Sequence, residues 1–147
     1  MLLQTQEQFD SKLILRPEFV FLIVEDEAGH YKLIEIFLRK KGIKNELHWF
    51  ENGQSVLDFI ADLKSSSTNK KKYIVLLDIR MPGIDGIEVL KKIKENNDFK
   101  DNPVIMLTTS ADQQQAQTCY DLGCQAHIIK PPGQALLKAI ANIAMGL

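Results

Sequence analysis

A carboxylate at the end of an apolar run is the residue in this sequence best placed for chemistry. Asp78 follows the run from Tyr73 to Leu77 and precedes Met-Pro-Gly, which favours neither strand nor helix. A run this short and this apolar is typical of a strand buried on both faces. Asp78 is therefore predicted to lie at the carboxyl end of a buried strand, where open parallel sheets bind ligands. Taken alone, such an aspartate is more often an ordinary turn residue.

Three other apolar runs also end in side chains that can do chemistry. The first ends in Glu25 and Asp26, the fourth in Thr108 and the fifth in Lys130. Because all strands of a parallel sheet end at the same edge, we expect these side chains to lie together with Asp78. Three carboxylates at such short range require either raised pKa values or a neutralising cation.

The set of side chains indicates phosphoryl transfer. Carboxylate oxygens suit Mg²⁺, which takes one or two protein carboxylates and keeps water or phosphate oxygens as its other ligands. Thr108 supplies a hydroxyl donor and Lys130 a mobile positive charge, and both groups hold phosphoryl oxygens. Asp78 is then the natural nucleophile, since a cation and Lys130 can stabilise charge on a group transferred to its carboxylate.

Five predicted strands alternate with five predicted helices, which indicates an α/β fold with helices on both faces of a mostly parallel sheet. We predict a flavodoxin-like, doubly wound order of 2-1-3-4-5, which places the first and third strands side by side. The predicted strands are 19–24, 45–50, 73–77, 104–107 and 126–129. The predicted helices are 28–41, one following Gly53, 86–95, 111–122 and 134–145.

Composition indicates one ordinary domain. We expect residues 18–147 to form it and residues 1–17 to be a loosely held N-terminal extension, with a dimerising arm as the alternative. The net charge is -1 and the densest basic stretch is Lys70 to Lys72, too little for binding nucleic acid. No apolar run approaches the ~20 residues of a membrane span, and no secretory signal is evident, so we expect no membrane association and a cytoplasmic location.

Two further features carry no assigned role. The polar run from Ser65 to Lys72 is predicted to be a mobile loop, with contact to an acidic partner as the alternative. Cys119 and Cys124 have no metal-site spacing around them and are predicted to be ordinary buried thiols.

From Phe19 to Met145 the chain resembles the receiver domains of two-component response regulators. Five elements carry the resemblance in the same order as in that family. They are the acidic pair Glu25-Asp26, the segment Leu77 to Gly83 with Asp85-Gly86, the hydroxyl of Thr108, Gly123 before the last strand, and Lys130-Pro131.

The resemblance implies a set of roles. Asp78 is expected to be phosphorylated by a partner sensor histidine kinase. Mg²⁺ is expected to bind to Asp26, Asp78 and the backbone carbonyl of Arg80, with Glu25 acting through the water around the metal. Thr108 and Lys130 are expected to bind the phosphoryl group, and the Lys130-Pro131 peptide bond is expected to be cis.

The resemblance also implies how the protein acts. We expect a switch and not an enzyme, with self-phosphorylation and autodephosphorylation as its only chemistry. We expect no output domain, so the response would pass through a changed binding surface to a downstream protein that the sequence does not identify.

A looser local similarity indicates which class of kinase is the partner. Residues 45–53, the long loop before the third strand and residues 107–110 resemble regulators paired with bacterial phytochromes. This similarity suggests a phytochrome-type histidine kinase as partner, and a homodimer built on the last helices and strand.

Two positions depart from the common family pattern. His127 stands where the family usually has a Tyr or Phe that swings inward on phosphorylation. Its ring either fills the same groove, with an added pH response, or is a plain half-buried histidine. Pro132 replaces a bulky apolar residue and stiffens the entry to the last helix. Arg80 and Ser110 occupy positions that tune dephosphorylation in relatives.

Two alternatives remain at this stage. A haloacid-dehalogenase-like phosphatase would need an Asp two residues after the nucleophile as general acid, but Arg80 occupies that position and cannot give up a proton. A phosphorelay intermediate, or a receiver split from a hybrid kinase, has the same sequence features as the switch.

Overall fold

Strands and helices alternate along the chain in a computed structural model that describes residues 12–63 and 70–146. The strands are β1 (Phe19–Val24), β2 (Leu47–Phe50), β3 (Lys72–Asp78), β4 (Val104–Thr108) and β5 (Ala126–Ile129). The helices are α1 (Ala28–Lys40), α2 (Gly53–Asp62), α3 (Gly86–Glu95), α4 (Gln113–Asp121) and α5 (Gln134–Ala144).

The sheet has the order β2-β1-β3-β4-β5, and all four strand pairs are parallel. This arrangement confirms the predicted flavodoxin-like order. The register pairs Val24 with Leu77, so Glu25 and Asp78, the next residue of each strand, emerge side by side. Asp78 in turn pairs with Leu107, one residue before Thr108. The strand ends therefore bring the predicted site residues to one edge.

The core lies on both faces of the sheet, which explains why β1 is apolar at every position. Alternate β1 residues such as Val20 and Leu22 pack beneath α2, α3 and α4, while Phe21 and Ile23 pack beneath α1 and α5. Side chains of a strand alternate between the two faces of the sheet. When helices cover both faces, every position of the strand is buried and is therefore apolar.

Capping residues explain where the helices differ from the predicted bounds. α4 begins at Gln113, two residues later than predicted, because the Asp112 side chain accepts hydrogen bonds from the backbone N–H groups of Gln114 and Gln115. α1 ends at Lys40, and Gly42 follows in a left-handed conformation with φ of 89°. Within the described ranges, no helix has both the length and the apolar character needed to cross a membrane.

Residues 12–17 contact the body of the fold. The backbone N–H of Leu13 donates to the carbonyl of Lys41 at 2.7 Å, Leu15 is buried, and the Asn45 side chain donates to the carbonyl of Arg16 at 2.8 Å. The expectation of a loosely held tail therefore does not apply to this stretch. Residues 1–11 of the extension, and residues 65–69 of the predicted polar loop, lie outside the described residues.

Both cysteines are buried free thiols, as predicted. Cys119 lies on α4 and Cys124 follows it before β5, and both pack into the core beneath α2, α3 and α4. Burial raises the pKa of Cys124 to about 12. A thiol held protonated in this way is a core residue and a poor nucleophile.

Candidate site at the carboxyl edge of the sheet

The buried polar and charged side chains of the described residues are concentrated at one place. They are Glu25, which is 1% exposed, Asp78 at 7% and Thr108 at 0%, and they follow or end the three central strands. Burying such groups costs free energy unless they find partners. Their convergence marks this edge as the part of the fold that is specialised for polar chemistry.

Three carboxylates meet at this edge. Ligand oxygens of Glu25, Asp26 and Asp78 all lie within 4.8 Å of one another, and Asp26 is partly exposed to solvent. This all-oxygen donor set, open on one side to water, fits a hard divalent cation. The structure therefore brings together the three carboxylates that the sequence predicted to form a metal site.

Lys130 supplies positive charge to the carboxylates. Its ammonium pairs with Glu25 Oε2 and lies 3.3 Å from Asp78 Oδ2, and its side chain is only 8% exposed. The backbone N–H of Lys130 donates to the carbonyl of Thr108 at 2.7 Å, and the Lys130-Pro131 bond is cis, as the resemblance implied. Burial raises the pKa of the Glu25 carboxyl, although the hydrogen bond from Lys130 opposes the shift.

The loop that carries Glu25 is held from the β2 side. The indole N–H of Trp49 donates to the Glu25 carbonyl at 2.8 Å, and the Glu25 N–H donates to the Phe50 carbonyl at 3.0 Å. Tyr31 of α1 stacks on Trp49 with ring centroids 4.6 Å apart. The acidic loop is thus fixed by backbone contacts and not only by its own turn.

Gly86 is required for close backbone contact beneath Asp78. Its N–H donates to the Ile79 carbonyl at 2.8 Å, and a Cβ at this position would lie 2.1 Å from the Asp78 carbonyl oxygen. Asp85 precedes it and accepts a hydrogen bond from the Glu88 N–H at 2.9 Å, which caps α3. The Asp-Gly pair therefore docks the start of α3 directly against the end of β3.

Thr108 and His127 lie in different surroundings. Thr108 is buried at the end of β4, and its Oγ1 accepts a hydrogen bond from the Ser110 N–H at 3.1 Å. The His127 ring is half-buried, and its Nε2 is buried without a hydrogen-bond partner among the described residues. Burial lowers the pKa of His127. Both interpretations of His127, switch residue and plain half-buried histidine, stay open.

Arg80 is exposed in the loop after β3, beside an open cavity that it lines together with Met81 and Gln115. The role of its backbone carbonyl as a metal ligand stays a prediction.

His30 and the indole of Trp49 are neighbours of the site that the sequence did not predict. A signal for His30 existed, because it lies in the first turn of a helix that starts at the site edge, only four residues after Asp26.

The hydrogen bond of Trp49 makes it a natural reporter of cation binding. Trp49 is the single tryptophan of the chain, and its indole donates to the backbone carbonyl of Glu25, one of the three acidic residues of the cluster. We expect titration with Mn²⁺, a paramagnetic ion, to quench its fluorescence saturably. Asp26→Asn should weaken the apparent affinity at least about tenfold, since cation affinity depends on ligand charge.

Asp58→Asn is the matched control for this titration, because Asp58 is an exposed carboxylate on α2 that hydrogen-bonds Gln54. This variant should quench with the affinity of the unaltered chain. Equal quenching curves for the Asp26 variant and the unaltered chain would contradict the assignment of the acidic cluster as the cation site.

A family model and the similar proteins agree on the family to which this chain is related. The model of the response regulator receiver domain matches residues 21–142. A relative from Methanothrix harundinacea, the probable methanogenesis regulatory protein FilR2, is 33% identical over 83% of this chain and 79% of its own length. The response regulator Rcp1 from Synechocystis is 32% identical over 89% of this chain and 87% of its own length.

Solved structures agree with these matches. The bacteriophytochrome response regulator AtBRR superposes with a TM-score of 0.70 at 32% identity, over 88% of this chain and 93% of its own. The Mn²⁺-bound form of Rcp1 superposes with a TM-score of 0.67 at 30% identity, over 84% of this chain and 90% of its own.

Proposed function

The chain belongs to the response regulator receiver domain family of two-component signalling, and we propose that it accepts a phosphoryl group on Asp78 from a histidine kinase. The observation that carries this proposal is the pairing of the Lys130 ammonium with the buried carboxylates of Glu25 and Asp78. Buried Thr108 ends the neighbouring strand β4, and its carbonyl accepts the backbone N–H of Lys130. Each of these groups has a use in phosphoryl transfer.

Asp78 receives the phosphoryl group. A carboxylate oxygen of Asp78 forms a new bond to phosphorus while the bond from phosphorus to the imidazole nitrogen of the kinase breaks, and the kinase histidine leaves with that electron pair. Lys130, 3.3 Å from Asp78, balances the negative charge that arrives, and the Thr108 hydroxyl can donate to a phosphoryl oxygen.

Asp26 and Asp78 would hold a divalent cation beside Glu25, and we propose that this ion is Mg²⁺. Support comes from the donor set and from the Mn²⁺-bound form of the relative Rcp1. When bound, such an ion neutralises charge on the phosphoryl oxygens. The Arg80 carbonyl is proposed as a further ligand and Glu25 as a group acting through water.

The proposed partner is a phytochrome-type histidine kinase, which is supported by the similarity to the bacteriophytochrome response regulator AtBRR. The proposed response is a changed protein-binding surface, because phosphorylation replaces the single negative charge of the Asp78 carboxylate with about two on the phosphoryl group at pH 7 and gives Thr108 a new partner. Exposed apolar residues on α4, β5 and the end of α5 support a second copy of the chain as one binder of that surface. They are Tyr120, Ile129 and Met145.

Phosphorylation by a small donor tests the proposal without the kinase. Incubation with Mg²⁺ and acetyl phosphate should add one phosphoryl group to the intact protein, as measured by mass spectrometry. A chelator should reduce the yield at least about a hundredfold, since the charge on the transferred group would no longer be neutralised.

Two results would contradict the proposal. One is labelling that proceeds equally well in the presence of the chelator. The other is hydrolysis of a generic phosphate ester beyond one equivalent, which would indicate a phosphatase even though Arg80 offers no general acid.

A further inference from the structure

His30 connects the buried lysine of the site to a carboxylate on the surface. It lies in the first turn of α1, and its Nδ1 is 3.2 Å from the ammonium nitrogen of Lys130. On the other side of the ring, Nε2 is 3.1 Å from Glu27 Oε2. Its side chain is 38% exposed, so the imidazole forms the solvent side of the lysine pocket.

The neighbours of the ring determine its tautomer. An ammonium group has only donors, so the contact with Lys130 requires Nδ1 to be an acceptor with a free lone pair. The proton of the neutral ring is then on Nε2, which lies 3.1 Å from Glu27 Oε2. The negative charge of Glu27 therefore favours the form of His30 that can receive a hydrogen bond from Lys130, in the way that outer carboxylates orient histidines in metal sites.

The three donors of Lys130 have one neighbour each. Glu25 Oε2, Asp78 Oδ2 and His30 Nδ1 all lie within 3.3 Å of the ammonium nitrogen. We propose that His30 is a positioning residue, which together with Glu25 fixes two of these donors and thereby points the third at Asp78.

The kinetic consequence rests on the proposed phosphoryl transfer to Asp78. When Asp78 is modified, the donor that faced its carboxylate is the one free to follow the phosphoryl oxygen, while Glu25 and His30 keep the ammonium in place. Without His30, the flexible lysine side chain would sample other orientations, and each productive encounter would become rarer.

Substitution at His30 tests the role with a built-in rescue. His30→Ala removes the acceptor, whereas in His30→Asn the amide oxygen can occupy the place of Nδ1. We expect the alanine variant to lower the rate of phosphorylation by acetyl phosphate about five- to tenfold, the value of one ordinary hydrogen bond. The asparagine variant should recover most of the loss.

His48→Ala is the matched control, because His48 also pairs with a surface carboxylate, Glu46 Oε2 at 2.8 Å, but on β2. Its rate should equal that of the unaltered chain. Equal rates for the alanine and asparagine variants of His30, whether both reduced or both unchanged, would overturn the positioning role, since a merely structural effect would not be rescued by one acceptor atom.

A spectroscopic measurement separates this inference from the proposed function. In nitrogen-15 NMR spectra of the unaltered chain, at a pH where the imidazole is neutral, His30 should be the Nε2–H tautomer. The ammonium signal of Lys130 should shift in His30→Ala and return in His30→Asn. An Nδ1–H tautomer, or a Lys130 ammonium signal that is the same with and without His30, would overturn the inference even if Asp78 is phosphorylated. Neither measurement requires Asp78 to be phosphorylated.

Discussion

Asp78→Asn is expected to abolish phosphoryl incorporation. The amide has no anionic oxygen to attack phosphorus, so the yield of labelled protein with Mg²⁺ and acetyl phosphate should fall at least about a hundredfold. The side chain keeps its shape, and the substitution removes one of three negative charges that lie within 4.8 Å of one another. The variant should therefore stay folded, and intact-mass spectrometry reports the loss of labelling directly.

Asp85→Asn is the appropriate control, because it is the same chemical change seven residues further along the same loop. Asp85 caps α3 through the Glu88 N–H, and asparagine caps helices as well as aspartate does. Labelling of this variant should match that of the unaltered chain. Substantial labelling of Asp78→Asn would show that another residue accepts the group.

Gly86→Ala is expected to be the most destabilising small substitution near the site. A Cβ at residue 86 would lie 2.1 Å from the Asp78 carbonyl oxygen and 2.7 Å from the Ile79 Cα, both of which are backbone atoms. The start of α3 would have to move away from the end of β3. We expect a loss of about 2–4 kcal/mol in the free energy of unfolding, measured in urea by Trp49 fluorescence.

Phosphorylation should slow in the same variant, since Asp78 moves with its backbone. Gly29→Ala provides the comparison, because Gly29 lies in α1 and no atom beyond its neighbours is within 4 Å of the added Cβ. That variant should be about 0.5–1 kcal/mol more stable than the unaltered chain, the usual gain for alanine in a helix. Equal stability of the two variants would contradict the close contact at Gly86.

The fold was predictable from the sequence because its signals are local. Apolar runs identified four of the strands, an alternating pattern at residues 45–50 identified the other, and the alternation with amphipathic helices limited the topology to a doubly wound sheet. The polar side chains that end or follow β1, β3, β4 and β5 could be brought together on this basis alone, since parallel strands end at the same edge of a sheet. Glu25, Asp78 and Thr108 are indeed buried there.

The remaining parts depend on distances that no local pattern encodes. The contact of Lys130 with His30 joins residues 100 apart in the chain, and its detection requires the rotation of α1 about its axis. The indole of Trp49 on β2 reaches Glu25 at the end of the neighbouring strand β1, which depends on the register of the two strands. The sequence pattern likewise predicted that His127 lies on β5, but it could not predict what surrounds the imidazole ring.

The attachment of residues 12–17 was missed for a related reason. Leu13 and Leu15 stand among polar residues without a helical or strand period, so the pattern indicated a tail. Their partners are Lys41 and the core beneath α1, which only the folded chain brings within reach.

Chemical mapping of the phosphoryl group tests the central claim most directly. Borohydride reduces an aspartyl phosphate to homoserine, and peptide mass spectrometry then identifies the modified position in protein labelled with acetyl phosphate and Mg²⁺. Modification at residue 78, dependent on the divalent cation and absent in Asp78→Asn, is the predicted result. Reduction at Asp26 or Glu25, or a phosphoryl group that is stable to borohydride, would contradict the assignment of Asp78 as the acceptor.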